Sequence, residues 1–257
     1  MLCLQTGHQK NKNMKENIFI WADLSSYQPE ETKLFYENVF GWNYYEQDGY
    51  YSAYKGAKEV VGLYQTPLKF QKMKMPSFWM SYIQVDDVLE TVDKAKSLGA
   101  IIELVEENSS FGNVALIRDT LGAGFTVYDG FLLNSRTKSE ENTLVFNELH
   151  VSNAKEAIAF YKDLFDWNFV ETNNNSFDVF PKEGKENIAS IYEVENAIKS
   201  KYEYWVCIFG VKNLQETCKK IKENNGVIIF DEKERVLCSD GSEAFFYIQE
   251  VYIKKPS

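Results

Sequence analysis

Cysteine is scarce and badly placed for metal chemistry: Cys3, Cys207, Cys218 and Cys238 form no C-x-x-C pair and no zinc-like spacing in the 257-residue chain. A zinc knuckle is thereby excluded, and reduced thiols in a cytoplasmic protein are expected. Basic charge is also in deficit, 28 Lys and Arg against 38 Asp and Glu, for a net charge of -10. That balance excludes a nucleic-acid footprint or a polybasic membrane patch, both of which need clustered cations. No apolar run approaches membrane length, and the opening Met1-Leu-Cys-Leu-Gln-Thr-Gly-His lacks a signal peptide's basic start. Residues 1–15 read as a disordered lead-in, with Met14 as an alternative start. There is no G-x-S-x-G, P-loop or dinucleotide fingerprint; Gly122-Ala-Gly124 is a turn entering a strand. A small-molecule partner is expected, with no nucleic acid and no membrane; the oligomeric state stays open.

What the chain has in quantity is aromatic residues, 15% of the total, and a repeat built from them. Phe35-Tyr-Glu-Asn-Val-Phe-Gly-Trp-Asn43 returns as Phe160-Tyr-Lys-Asp-Leu-Phe-Asp-Trp-Asn168. Trp79 recurs as Trp205, and Gly99 before Ala-Ile-Ile as Gly226 before Val-Ile-Ile. A period of about 125 residues is a whole domain, not a solenoid unit. Two domains are expected, residues 16–130 and 144–253, each burying its own core, with the polar stretch 131–143 as linker.

Along the chain, residues 17–25 alternate with strand period, Ile18, Ile20, Ala22 and Leu24 toward a helix and Phe19, Trp21, Asp23 and Ser25 away from it. Pro29 opens a helix, Glu30 and Glu31 suit its first turn, and Gly41 stops it. Three short aromatic strands follow, with Asp48-Gly49 as a hairpin turn. After a linker, Thr66 to Pro76, the β-α-β-β-β order repeats, its helix capped by Asp87 with Glu90. The second domain repeats the plan, with Asn153/Glu156 and Asn213/Glu216 as caps and a loop around Ala197 to Lys201. The fold class is α+β: two tandem domains, each of two paired β-α-β-β-β modules.

These paired modules, the Phe-Tyr-x-x-x-Phe-x-Trp helix, Val85-Asp-Asp-Val with Lys94-Ala-Lys-Ser-Leu-Gly-Ala100, and Trp21-Ala-Asp-Leu with the Leu-Gly-Ala-Gly-Phe125 segment resemble the vicinal oxygen chelate superfamily. That group holds glyoxalases, bleomycin-resistance proteins and extradiol dioxygenases; the tandem glyoxalase-like proteins are most similar. The resemblance implies that each domain curves as a half-open barrel around a cavity. It also implies where a metal would sit, and those places hold Trp21, Met80 and Thr126 in domain one and Phe146, Val206 and Phe246 in domain two. Apolar and hydroxyl side chains do not make a divalent site, so no metal and no other cofactor is expected.

Glu148 and His150, two apart on a strand, share a face and are the candidate catalytic or acid-base pair; a polar pair at a pocket mouth is the plainer reading. Asp23 and Ser25 stand at their places in domain one. Ligand contacts are expected from Trp21, Asp23, Tyr82, Gln84, Thr126 and Tyr128, aromatic walls with polar groups to fix orientation, with Phe19 and Met80 on the same face. Phe146, Val206, Ile208, Phe246 and Ile248 should crowd the other cup. Cys207, Cys218 and Cys238 lack a neighbouring histidine and read as inert buried thiols. Two functions follow: a metal-independent binder of a small organic molecule, or a lyase or dioxygenase with either an atypical site around Asp23, Glu148 and His150 or a site shared between the domains.

Overall fold

The computed structural model describes residues 17–108, 110–173 and 175–251. The expected lead-in, with His8 and Met14, lies outside them. The first domain runs β1 (Phe19–Ser26), α1 (Pro29–Phe40), β2 (Asn43–Gln47), β3 (Tyr50–Lys55), β4 (Lys58–Gln65), α2 (Leu68–Lys72), β5 (Phe78–Gln84), α3 (Val88–Ser97), β6 (Ile101–Glu106), β7 (Val114–Arg118) and β8 (Gly124–Tyr128). The second repeats it with β9 (Leu144–Val151), α4 (Ala154–Phe165), β10 (Asn168–Asn173), β11 (Ser176–Phe180), β12 (Ala189–Glu193), α5 (Asn196–Lys199), β13 (Tyr204–Val211), α6 (Leu214–Glu223), β14 (Val227–Asp231), β15 (Arg235–Ser239) and β16 (Phe245–Glu250). The two connections read as irregular, before β5 and before β13, thus each carry a short helix.

Local chemistry sets the boundaries. Asp87, Asn153 and Asn213 accept from the backbone N–H three residues on, satisfying one orphan donor of α3, α4 and α6. Gly41 ends α1 in the left-handed region, φ 70°, its N–H closing on the Glu37 carbonyl. Asp166 takes the same conformation after α4, at φ 57°, where a Cβ costs about 1 kcal/mol. Both Asp48 and Gly49 have positive φ, as a tight hairpin between twisted strands requires.

Each domain is one eight-stranded sheet, ordered β2-β3-β4-β1-β5-β8-β7-β6 and β10-β11-β12-β9-β13-β16-β15-β14. The two modules of a domain join through the antiparallel pair of their first strands, β1 with β5 and β9 with β13. The outermost strands of each sheet do not pair, so the sheets curve but remain open.

The helices cross over between domains. Phe35, Tyr36 and Phe40 of α1 pack with Trp42 and Trp79 against Phe209, Ile221 and Phe246 of domain two. Phe160, Tyr161 and Phe165 of α4 pack with Trp167 against Val92, Phe125 and Val127 of domain one. The cores are therefore shared, and the expectation of one independent core per domain is corrected: a first-module helix finds its apolar partner on the other domain's second module. Residues 131–143 are held tightly as well. Ser135 Oγ donates to the Val60 carbonyl at 2.7 Å, and the Arg136 guanidinium lies between the rings of Phe19 and Phe146, 5.7 and 5.5 Å from their centroids.

Two face assignments differ from the periodic reading. A register shift in β1 between Phe19 and Trp21 consumes one residue, so Phe19 turns to the helix side and packs on Trp205 at 4.8 Å. In β16 it is Tyr247 that stands opposite Ile208, as Thr126 stands opposite Tyr82. Phe246 and Ile248 consequently face the helices and do not enter the second cup.

Candidate functional site

In domain one the central strands bring Trp21, Asp23 and Tyr82 together upon one another. Asp23 Oδ1 accepts from Trp21 Nε1 and from Tyr50 Oη, each at 2.7 Å, and Oδ2 accepts from Tyr82 Oη at 2.6 Å. Burial pushes the Asp23 carboxyl up from its ordinary value, and the bonds from Tyr82, Tyr50 and Trp21 pull only part of the way back. Desolvation and the Asp23 charge hold both phenols well above 10. Gly62 makes room for this cluster: a Cβ there would meet Tyr50 Oη at 1.9 Å and Asp23 Oδ1 at 2.1 Å.

Thr126 is buried beside Tyr82. Gln84 and Tyr128 act at the rim. Gln84 Nε2 donates to the Gly130 carbonyl at 2.9 Å, and Tyr128 Oη donates to the Phe111 carbonyl at 2.6 Å while accepting from Leu132 N.

The second cup holds a charged network. His150 Nε2 meets Glu148 Oε1 at 2.6 Å, and Arg235 Nη1 binds Glu148 Oε2. Arg235 Nε also donates to Glu232 at 2.5 Å, and its guanidinium lies over the rings of Tyr247 and Tyr192, 4.5 and 5.2 Å from their centroids. Burial opposes the Arg235 charge, but Glu148 and Glu232 outweigh it and keep the guanidinium above its ordinary range. His150 packs near Tyr204 and Tyr247, and its Nδ1 has no partner among the described residues.

Both Glu148 oxygens are engaged, one by a fixed cation, and the neighbouring strands present Val206 and Tyr247. Among the described residues no three His, Cys, Asp or Glu side chains converge as a metal-ligating group.

An open cleft of about 330 Å³ lies further along the cavity face of domain one, where the domains meet. Met80, Leu116 and Gly124 form its floor, and Tyr202, Tyr204 and Phe245 of domain two close over it. At one wall Glu103 receives Lys69 Nζ at 2.5 Å and Arg118 Nη2 at 2.5 Å. The Lys69 hydrogen bond, opposed by desolvation and aided by Arg118, holds the Glu103 carboxyl below its usual range.

Of these groups the sequence singles out Trp21, Asp23, Tyr82, Gln84, Thr126, Tyr128, Glu148 and His150, together with Met80 at the cleft. It missed Tyr50, Arg235, Tyr247 and most of the cleft. Arg235 did carry a signal, a lone cation opening the apolar strand Arg-Val-Leu-Cys-Ser.

No protein-family profile matches the chain. Over 160 residues it is 29% identical to "Putative glyoxylase CFP32" of Mycobacterium bovis and of Mycobacterium tuberculosis, a stretch covering 60% of this chain and 61% of each relative. The chain thus spans less than two thirds of the length of these relatives. Among solved structures it resembles the Mn(II)-bound glyoxalase of Novosphingobium aromaticivorans, with a TM-score of 0.65 and 9% identity over 92% of this chain and 83% of that one. It also resembles the 2,3-dioxygenase LapB of Pseudomonas sp. KL28, TM-score 0.64 and 11% identity over 95% and 96% of the two chains. Homoprotocatechuate 2,3-dioxygenase of Brevibacterium fuscum superposes with a TM-score of 0.63 at 12% identity, over 93% of this chain and 82% of that one. With two curved eight-stranded sheets of paired β-α-β-β-β modules, the chain shares the two-domain fold of these glyoxalase and dioxygenase structures.

Proposed function

We propose that this glyoxalase-like protein binds a small organic molecule in a domain cavity, without a divalent metal at the superfamily position. The observation that carries the reading is the cleft of about 330 Å³ on the cavity face of domain one, floored by Met80, Leu116 and Gly124 and roofed by aromatic side chains of domain two. Its size lies at the lower end of small-molecule sites, and its mixture of apolar walls with a few charged groups is typical of them. Trp21, Tyr82, Gln84, Thr126 and Tyr128 then shape and stiffen the cup beside the bound molecule, with Asp23 as the shared acceptor of Trp21 and Tyr82.

A thermal-shift screen followed by calorimetry tests this. Gly124→Val narrows the floor, since a Cβ there lies 3.3 Å from the flexible end of Met80 and the strand φ tolerates a side chain. Hits should shift the wild type and lose their effect in Gly124→Val, whose own melting temperature stays close to the wild type's. Hits that bind both proteins equally would remove the cleft from consideration.

A second reading, a lyase or dioxygenase using an acid-base pair, draws on the 2.6 Å contact of Glu148 with His150 and the unpartnered Nδ1. Stoichiometric Zn, Fe, Ni or Mn in protein purified without chelator, lost in His150→Ala, would favour it over binding alone.

A further inference from the structure

Resting on the binding reading above, we infer that the interdomain cleft takes an apolar organic acid, its body between the aromatic walls and its carboxylate at Arg118 and Lys201. The argument starts from charge. The chain carries a net -10, so an anion is repelled by most of its surface. The cleft reverses that balance. Lys69 and Arg118 share a single carboxylate, Glu103, whose side chain is 8% exposed. Glu203, also at the cleft, is neutralised by the fully buried Lys199 at 2.9 Å and occupied by Ser152. Lys201 has no carboxylate partner among the described residues and rests over the Tyr202 ring at 5.3 Å. Cations therefore outnumber carboxylates around an apolar cleft, with Arg118 sharing its carboxylate and Lys201 having none among the described residues.

Geometry agrees with charge. Arg118 spends Nε and Nη2 on Glu103, at 2.7 and 2.5 Å, and its Nη1 has no partner among the described residues. Its side chain is 34% exposed, so those remaining N–H donors can reach an incoming carboxylate. Phe78, Tyr204 and Phe245 supply flat surface for an aromatic body, and Met80 can adapt to its outline. Lys201 and Tyr202 belong to domain two and Arg118 to domain one, so the ligand contacts both halves of the duplication.

The test uses the full chain and matched pairs: 2-naphthoate, indole-3-acetate and decanoate, each against its primary amide, titrated calorimetrically at neutral pH. The acids should bind at least tenfold tighter than the amides, and added salt should shrink the difference. Arg118→Gln and Lys201→Gln should each reduce that preference, weakening the acids more than the amides, and Lys201→Gln, on an exposed side chain, guards against misfolding of the other. Amides that bind as well as the acids, in a manner sensitive to Gly124→Val, would overturn the acid class and leave the binding reading standing. Binding of neither series, with no hit in the wider screen, would overturn both.

Discussion

Tyr36 on α1 donates its phenol to Asp240, 204 residues away in domain two, at 3.1 Å, and accepts from the Trp79 indole at 3.1 Å. Tyr161 on α4 repeats the relay with Asp119 and Trp205 at 2.9 and 2.8 Å. In each case the aspartate's other oxygen gathers backbone N–H groups of the turn before the last strand of its module. The duplication is therefore closed by two equivalent bonds that run between the domains.

Removing one relay hydroxyl should loosen both domains together. Tyr36→Phe and Tyr161→Phe are each expected to cost about 1–3 kcal/mol, the cost of a buried acceptor left short of a donor. Urea unfolding followed by tryptophan fluorescence and by far-UV circular dichroism should give one coincident transition for wild type and variants. Separate transitions for the two domains would contradict the shared cores.

The buried aspartates predict a pH dependence with a definite sign. Burial raises Asp23, Asp119 and Asp240 above their ordinary value of 3.8. The folded chain thus holds these protons when the unfolded chain has released them. The resulting stabilisation is complete below 3.8 and is lost as pH rises through the folded values. Asp23→Asn should remove its share, so the stability difference from wild type should change across that window and be flat above it. Chemical denaturation at a series of pH values reads this directly.

Gly62→Ala should disturb the Asp23 cluster without touching a charge. The new methyl would overlap Tyr50 Oη and Asp23 Oδ1, and since strand backbone on both sides cannot yield, a loss of about 1–3 kcal/mol is expected. A thermal melt unchanged from wild type would show that the phenol swings away freely.

Breaking the second cup's ion pair should cost more than replacing it. Arg235→Leu leaves Glu148, 1% exposed, with His150 as its remaining partner, and a loss of roughly 3–5 kcal/mol is expected. Adding Glu148→Gln to that variant should restore part of the stability. A double-mutant cycle by chemical denaturation measures the coupling, and additive losses would mean the pair contributes nothing.

By itself the sequence determined what depends on near neighbours. The Phe35 and Phe160 repeat, the caps at Asp87, Asn153 and Asn213, and the Asp48-Gly49 turn act over a few residues, so spacing alone exposes them. From these came the module order and the two-domain repeat. Only the tertiary structure decided which way Phe19 points, because one bulge residue inverts every face before it in the strand. It likewise put Tyr247 in place of Phe246 in the second cup, set by pairing with β13 and invisible to spacing counted from the first domain. The exchange of helices between domains, the Arg235–Glu148 pair and the cleft join side chains far apart in the chain. Their positions follow from how two curved sheets pack, which no local periodicity encodes.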